Sequence, residues 1–240
     1  MKSRPIANPL ARKSAVAESA ATESADTLTD GFHFRGQLPH LNRQGATYFV
    51  TFRLADSLPA AEVLRLKHER DSLLTEALDH RRPLSWREEQ LVVAWYSDRV
   101  EKLLDAGPGA CWLNRHDIAE LVAGAVKFFE GQRYDLPAWV VMPNHVHAVV
   151  QPRSGQRLSE SLHSWKSYTA TQANRLLGRS RERFWQKESF DHWIRDEAEC
   201  HHWTTYVENN PVKAGLCAGP EDWRWSSAGE RARANRAPSP

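Results

Sequence analysis

WVVMPNHVHAVVQP, Trp139 to Pro152, decides how this chain folds. Val140, Val141, Val146, Val149 and Val150 make it a run of β-branched residues, interrupted once at Pro143-Asn144. Proline and asparagine side by side mark a turn. The run therefore reads as two antiparallel strands, Leu136–Met142 and His145–Gln151. Side chains alternate between the faces of a strand, so His145 and His147 point the same way. Two readings of that pair stand open. It is either a pair of half-exposed sheet histidines without a ligand, or half of a metal site. Polar rings inside a core strand need partners, and a shared cation would satisfy both.

Upstream, Ala46–Leu54 sets Tyr48, Val50, Phe52 and Leu54 against Thr47, Thr51 and Arg53, the pattern of a half-buried strand. Residues 62–105 are charged and helical in character, broken near Pro83, and read as an inserted hairpin with a solvated face. Ile118, Leu121, Val122, Ala125, Val126 and Phe129 keep a helical stripe that Gly131 closes. Downstream, Leu158, Leu162, Trp165, Leu176 and Leu177 mark an amphipathic helix ending near Gly178. Phe184–Phe190 reads as the last strand. Asp196–Asn209 reads as a final helix, with Asp196, Glu197 and Glu199 at its positive end and Pro211 as its stop. The order predicts an α+β, ferredoxin-like split βαβ antiparallel sheet with a C-terminal helix and an added helical insertion. Residues 31–228 form the domain. Residues 1–30 and 229–240 read as disordered tails.

The final helix holds the other half of the site. Tyr206 and Asn210 are four apart and share a face. Asn210 can offer an amide oxygen to a hard cation, with the phenol of Tyr206 beside it. The doubled Asn209-Asn210 leaves open which amide does so; spacing and the place before Pro211 favour Asn210. Tyr168, on the preceding helix, has no spaced asparagine. His202, four before Tyr206, could accept a proton; His201 and His202 both also read as solvated helix residues.

The 240 residues carry a formal charge of +2, which does not by itself announce a nucleic-acid binder. Its distribution does more. Residues 153–195 hold nine Lys or Arg against four acids, whereas 62–105 hold ten acids against eight bases. The basic excess lies between the histidine strand and the tyrosine helix. There Arg181, Arg183, Lys187 and Arg195 interleave with Phe184, Trp185, Phe190 and Trp193, and Lys166 and Arg175 precede them. Bases of that kind hold phosphates, and aromatic faces stack unpaired bases. Trp223 and Trp225 read as a packed terminal cap. Three cysteines without CxxC spacing fit a reducing cytoplasm. No apolar run reaches membrane-spanning length.

VMPNHVHAVV, SWKSYTA, FWQKESFDHWIRD, YVENNPVKAGL and DWRWSSA, in that order, resemble the REP-associated tyrosine transposases, relatives of the IS200/IS605 single-strand transposases in the HUH endonuclease group. The likeness spans roughly residues 38–228. It implies that His145, His147 and Asn210 bind a divalent metal, Mg²⁺ or Mn²⁺, and that Tyr206 is the nucleophile; Tyr168 is the alternative nucleophile. It further implies a bacterial, nucleoid-associated enzyme that cleaves and rejoins single-stranded or hairpin DNA through a 5′-phosphotyrosine. The alternatives are a non-catalytic single-strand-binding module of the same fold and a hydrolase using activated water. The sequence leaves the recognised repeat, and the choice between monomer and homodimer, open.

Overall fold

The computed structural model describes residues 31–35, 38–42, 45–75, 79–80 and 85–236. The tail expected over residues 1–30 lies outside the described residues. Strands β1 (Gly31–Arg35) and β2 (Leu38–Asn42) pair as a two-stranded sheet. The main sheet comprises β3 (Thr47–Arg53), β4 (Tyr134–Val141), β5 (His145–Pro152) and β6 (Phe190–Ile194), in the order β4-β5-β3-β6, antiparallel throughout. Helices are α1 (Ala60–Leu73), α2 (Trp86–Trp95), α3 (Lys102–Asp105), α4 (His116–Lys127), α5 (Leu158–Leu176), α6 (Glu197–Lys213) and α7 (Ser227–Arg236). A π-helical turn, Tyr96–Glu101, joins α2 to α3. Strand β3, α4, the β4-β5 hairpin, α5 and β6 follow the split βαβ order expected from the sequence.

Strand parity divides the core in two. Tyr48, Val50, Phe52, Val146, Ala148 and Val150 face α4 and α5. There the Trp165 indole donates to the Tyr134 hydroxyl at 2.9 Å, and that hydroxyl donates to the Val126 carbonyl at 2.7 Å, tying both helices to β4. Phe49, Val140, Met142, Val149 and Phe190 face the other way, toward α6 and the insertion. Strand β3 is thus covered on both faces, with Phe49 at 0% and Thr51 at 1% exposure, not half-buried as its alternation suggests. Phe49 stacks on Trp203 of α6, ring centroids 4.1 Å apart.

Three boundaries differ from expectation. The last strand is Phe190–Ile194; Phe184 and Trp185 instead enter the core, with a single bridge from Trp185 to Leu54. Pro211 does not end α6. It leaves the Val207 carbonyl without its helical donor, yet Ala214 still donates to Asn210 and Leu216 to Pro211, so the helix runs on to Lys213. Finally, residues 227–236 are helical, so the loose end read from residue 229 is not found there. Helix α7 is held because Glu230 pairs with Lys127 and Arg231 with Glu208. The terminal cap is as expected. The Trp225 carbonyl accepts from Val141 N–H, and the Trp223 indole donates to the Val141 carbonyl, covering the β4 edge.

Candidate active site

His145 and His147 lie on the α6 side of β5, at 1% and 0% exposure. Their Nε2 atoms face each other at 3.0 Å. Hydrogen bonds fix the outer nitrogens. Asn144 donates its amide to the carbonyls of Leu104 and Pro108, which can only accept. Its Oδ1 is therefore the atom 2.7 Å from His145 Nδ1, and that nitrogen carries a proton. The inner Nε2 of His145 then presents a lone pair. Register sets Thr51 of β3 opposite His147, and its hydroxyl lies 2.7 Å from His147 Nδ1. Thr51 is also hydrogen-bonded to Tyr96 of the π-helical turn. Burial, with Lys213 adding to it, pushes His145 down to about 3; burial, then His145 and Lys213, holds His147 well below the ordinary imidazole value. Both rings are neutral donors at physiological pH.

Helix α6 supplies the rest. Asp196 caps it by accepting from Glu199 N–H at 2.8 Å, and Glu199 in turn holds His192 of β6 at 2.6 Å. Glu199 thereby joins the first turn of the helix to β6. Trp203, Tyr206 and Asn210 share the face that meets Phe49 and the histidines. The rings of Tyr206 and His147 are 5.8 Å apart, and Asn210 is fully buried. Tyr206 donates its O–H to Glu101, so the phenol oxygen accepts from the Asn210 amide at 3.3 Å. This turns Asn210 Oδ1 away from the phenol; it is buried without a donor, and Asn210 adjoins His145. Asn209 points outward, its amide on the Thr205 carbonyl. The structure thus brings His145, His147, Tyr206 and Asn210 together and leaves Asn209 out.

Acceptor atoms of two imidazoles and one amide, all buried, lack anything to accept from beyond a single shared proton. That is the chemistry of a cation site. Among the described residues no group of three or more His, Cys, Asp or Glu could hold a metal ion, so a third donor beside the two histidines would have to be the amide.

Tyr168 is removed from this constellation. It stands 53% exposed on α5, the helix that packs on the opposite face of the sheet. His201 and His202 are exposed and line, with Ala198, Thr205, Tyr206, Asn209 and Lys213, an open groove along α6.

The expected DNA contacts divide. Arg175, Arg181, Arg183 and Lys187 are exposed, and Arg195 lies over the Trp193 ring at 5.0 Å. Trp185 is corrected. At 5% exposure, edge-on to Phe52 and donating to Thr169 at 2.8 Å, it is core and offers no face to a base. Lys166 is pushed down to about 8 by burial and the neighbouring Arg53, and its ammonium donates to the Lys187 carbonyl at 2.9 Å and the Ser189 hydroxyl at 3.1 Å. It ties the β6 approach to α5.

Sequence reasoning missed Glu101. Read as part of a solvated face, it is at 0% exposure, with Oε2 on the Tyr206 hydroxyl and Oε1 unpartnered. Lys213 Nζ lies 3.9 Å from it and 3.6 Å from Asp105. Burial raises both carboxyls, against the pull of Lys213. Burial first, then Glu101, pushes the Tyr206 phenol far above its ordinary value. The only sequence signal was the i, i+4 spacing of Glu101 and Asp105, and it does not reveal burial.

Residues 112–210, which contain the histidine strand and Tyr206, match the family described as "Transposase IS200 like". The chain is similar to that family. Two curated relatives agree. The REP-associated tyrosine transposase of Escherichia coli (strain K12) is 27% identical over 103 residues, 42% of this chain and 59% of its own length. A putative REP-associated tyrosine transposase of Haemophilus influenzae (strain ATCC 51907 / DSM 11121 / KW20 / Rd) is 26% identical over 107 residues, 39% of this chain and 58% of its own. The matched stretch thus spans under two thirds of these relatives. A solved REP-associated tyrosine transposase bound to a REP hairpin superposes with a TM-score of 0.45 at 17% identity, covering 86% of this chain and 88% of that one. The resemblance read from the sequence motifs is borne out.

Proposed function

We propose that this protein is a metal-dependent, single-strand-specific DNA transesterase of the transposase type, with Tyr206 as nucleophile. The observation that carries the reading is that α6 sets the Tyr206 ring beside His147, centroids 5.8 Å apart, and buried Asn210 beside His145, so that a phenol and three buried acceptor atoms share one site. His145 Nε2, His147 Nε2 and Asn210 Oδ1 would hold the metal, and the amide oxygen with two imidazoles suits Mg²⁺ or Mn²⁺. When bound, such an ion polarises the scissile phosphate and orients it for in-line attack.

The protein's own groups do the remainder. Tyr206 Oη attacks phosphorus and becomes a 5′-phosphotyrosine; the bond to the 3′ oxygen breaks and a 3′ hydroxyl is released. The phosphodiester's energy stays in the new ester, so another 3′ hydroxyl can reverse the step without ATP. Phe49 and Trp203 hold the phenol ring on a rigid base. Arg181, Arg183, Lys187 and Arg195 carry the charge for a phosphate backbone. The motif resemblance favours repeat-derived hairpins as substrate, and a nucleoid-associated place in a bacterial cytoplasm follows from that substrate. No described helix is long and apolar enough to cross a membrane.

The test is covalent trapping. Labelled single-stranded hairpin DNA is incubated with the protein and Mn²⁺ or Mg²⁺, with and without EDTA, then run on a denaturing gel. A metal-dependent adduct is expected from wild type and from Tyr168→Phe, and none from Tyr206→Phe. Tight binding without an adduct across a hairpin library would favour a non-catalytic binding module.

A further inference from the structure

We propose that Glu101, carried by the inserted helices, is the catalytic proton acceptor for Tyr206 and returns the proton during rejoining. This assignment rests on the transesterase reading above. A phenol attacking phosphorus must lose its proton, and metal bound by His145, His147 and Asn210 would act on the phosphate. The group that already receives the Tyr206 O–H is the Glu101 carboxylate. It is fully buried, so water does not compete for it, and Lys213 at 3.9 Å holds a balancing charge. Its backbone lies in the π-helical turn Tyr96–Glu101, a local widening of the helix that recurs where a side chain must be aimed at a site. Asp105 is one turn on and faces Lys213, not the phenol. His202, the acceptor considered from sequence, is exposed and has no hydrogen bond to Tyr206 among those described.

In the step, the Oη proton passes to Glu101 Oε2 as the Oη–phosphorus bond forms. The phosphorus–3′-oxygen bond breaks with its electron pair on the 3′ oxygen, which takes a proton from water. In rejoining, an incoming 3′ hydroxyl attacks phosphorus and gives its proton to water. Tyr206 Oη departs and recovers its proton from the Glu101 carboxyl. One residue serves as base for cleavage and acid for rejoining, as reversibility requires.

The experiment compares wild type, Glu101→Gln and Glu101→Asp in single-turnover adduct formation on pre-bound hairpin DNA with Mn²⁺, and in rejoining of the isolated adduct. Hairpin affinity, Mn²⁺ affinity and thermal melting are measured on the same preparations. Glutamine keeps the size and a hydrogen bond to the phenol but cannot take its proton. Expected is a loss of about 10²–10⁴-fold in both directions for Glu101→Gln, with binding and melting unchanged, and partial recovery in Glu101→Asp. Adduct formation by Glu101→Gln within threefold of wild type, or a loss in cleavage alone, overturns the assignment while leaving Tyr206 as nucleophile. If Glu101→Gln fails to melt like wild type, Glu101→Asp decides: activity no better than Glu101→Gln in a folded protein overturns it. No adduct from wild type overturns the transesterase reading and this assignment with it.

Discussion

Replacing Thr51 by valine tests the wiring behind the histidines. Valine is β-branched and nearly isosteric, so strand β3 and its packing are kept, and only the hydroxyl is lost. That hydroxyl serves His147 Nδ1 at 2.7 Å and the phenol of Tyr96, and all three residues are buried, Thr51 at 1%. The substitution leaves two buried polar groups without their partner. Each such orphan costs about 1–3 kcal/mol, so the expected loss is roughly 2–6 kcal/mol, lessened by a few tenths for the added apolar burial. The cost has a second readout. Groups that orient a metal-binding imidazole are worth about 10–100-fold in metal affinity. Urea denaturation of the EDTA-treated protein gives the first number, and calorimetric titration with Mn²⁺ gives the second. Tyr96→Phe in the Thr51→Val background removes one of the two orphans, so the double variant is expected to be more stable than Thr51→Val alone. Stability within about 0.5 kcal/mol of wild type, together with unchanged Mn²⁺ affinity, would refute the reasoning.

Two further outcomes follow from the same geometry. The metal-free protein loses stability on acidification. Unfolded imidazoles titrate near ~6.5, whereas burial holds His145 down at about 3 and His147 well below the ordinary value. The unfolded state therefore binds more protons in this window, and stability present above pH ~6.5 falls by up to ~1.4 kcal/mol per pH unit for each ring as pH drops. Glu101, raised by burial, is protonated more readily in the folded than in the unfolded chain as pH falls and so pulls the other way; Glu101→Gln should therefore steepen the loss, and flat stability between pH 7 and 4.5, measured in about half-unit steps by urea melts, would sink this account. In the basic segment, Trp185→Ala should cost about 3–5 kcal/mol without a specific effect on DNA. Arg183→Ala should leave melting unchanged and reduce the salt slope of single-strand binding by about 0.7; the reverse pattern would return Trp185 to the interface.

Much of this was legible because strand parity is a local rule. The spacing of His145 and His147 and the β-branched flanks were enough to put both rings on one face, and Pro143-Asn144 to place the turn. The spacing of Tyr206 and Asn210 was enough to put them on one helical face. What the sequence hid was long-range cover. Thr51 reads as an outward residue until the insertion and α6 are laid over it. Glu101 sits in a segment with nearly balanced charges, and nothing in its neighbours distinguishes a carboxylate aimed at a phenol 105 residues away from one in water. Trp185 failed for a related reason: an aromatic among arginines has the same local pattern whether it stacks on a base or fills a core. Pro211 was read as a stop because proline usually is one, and here neighbouring helical bonds outweigh the one it removes.

The wiring argues that the insertion is part of the site. Tyr96 reaches Thr51 and through it His147; the carbonyls of Leu104 and Pro108 hold Asn144 and through it His145; Glu101 holds Tyr206. Each of the three side chains is thus oriented from residues 96–108. The two histidines are not held alike. Asn144 admits one tautomer only, because its amide is committed to two carbonyls. Thr51 admits either, since a hydroxyl can donate or accept. Without a cation, the Nε2 atoms at 3.0 Å share a proton that His147 supplies, and Thr51 donates to its Nδ1. Were both Nε2 lone pairs to hold the proposed cation, His147 would carry its proton on Nδ1 and Thr51 would accept it. One ring is thus locked and the other free to switch, which would keep the site satisfied with or without the proposed cation.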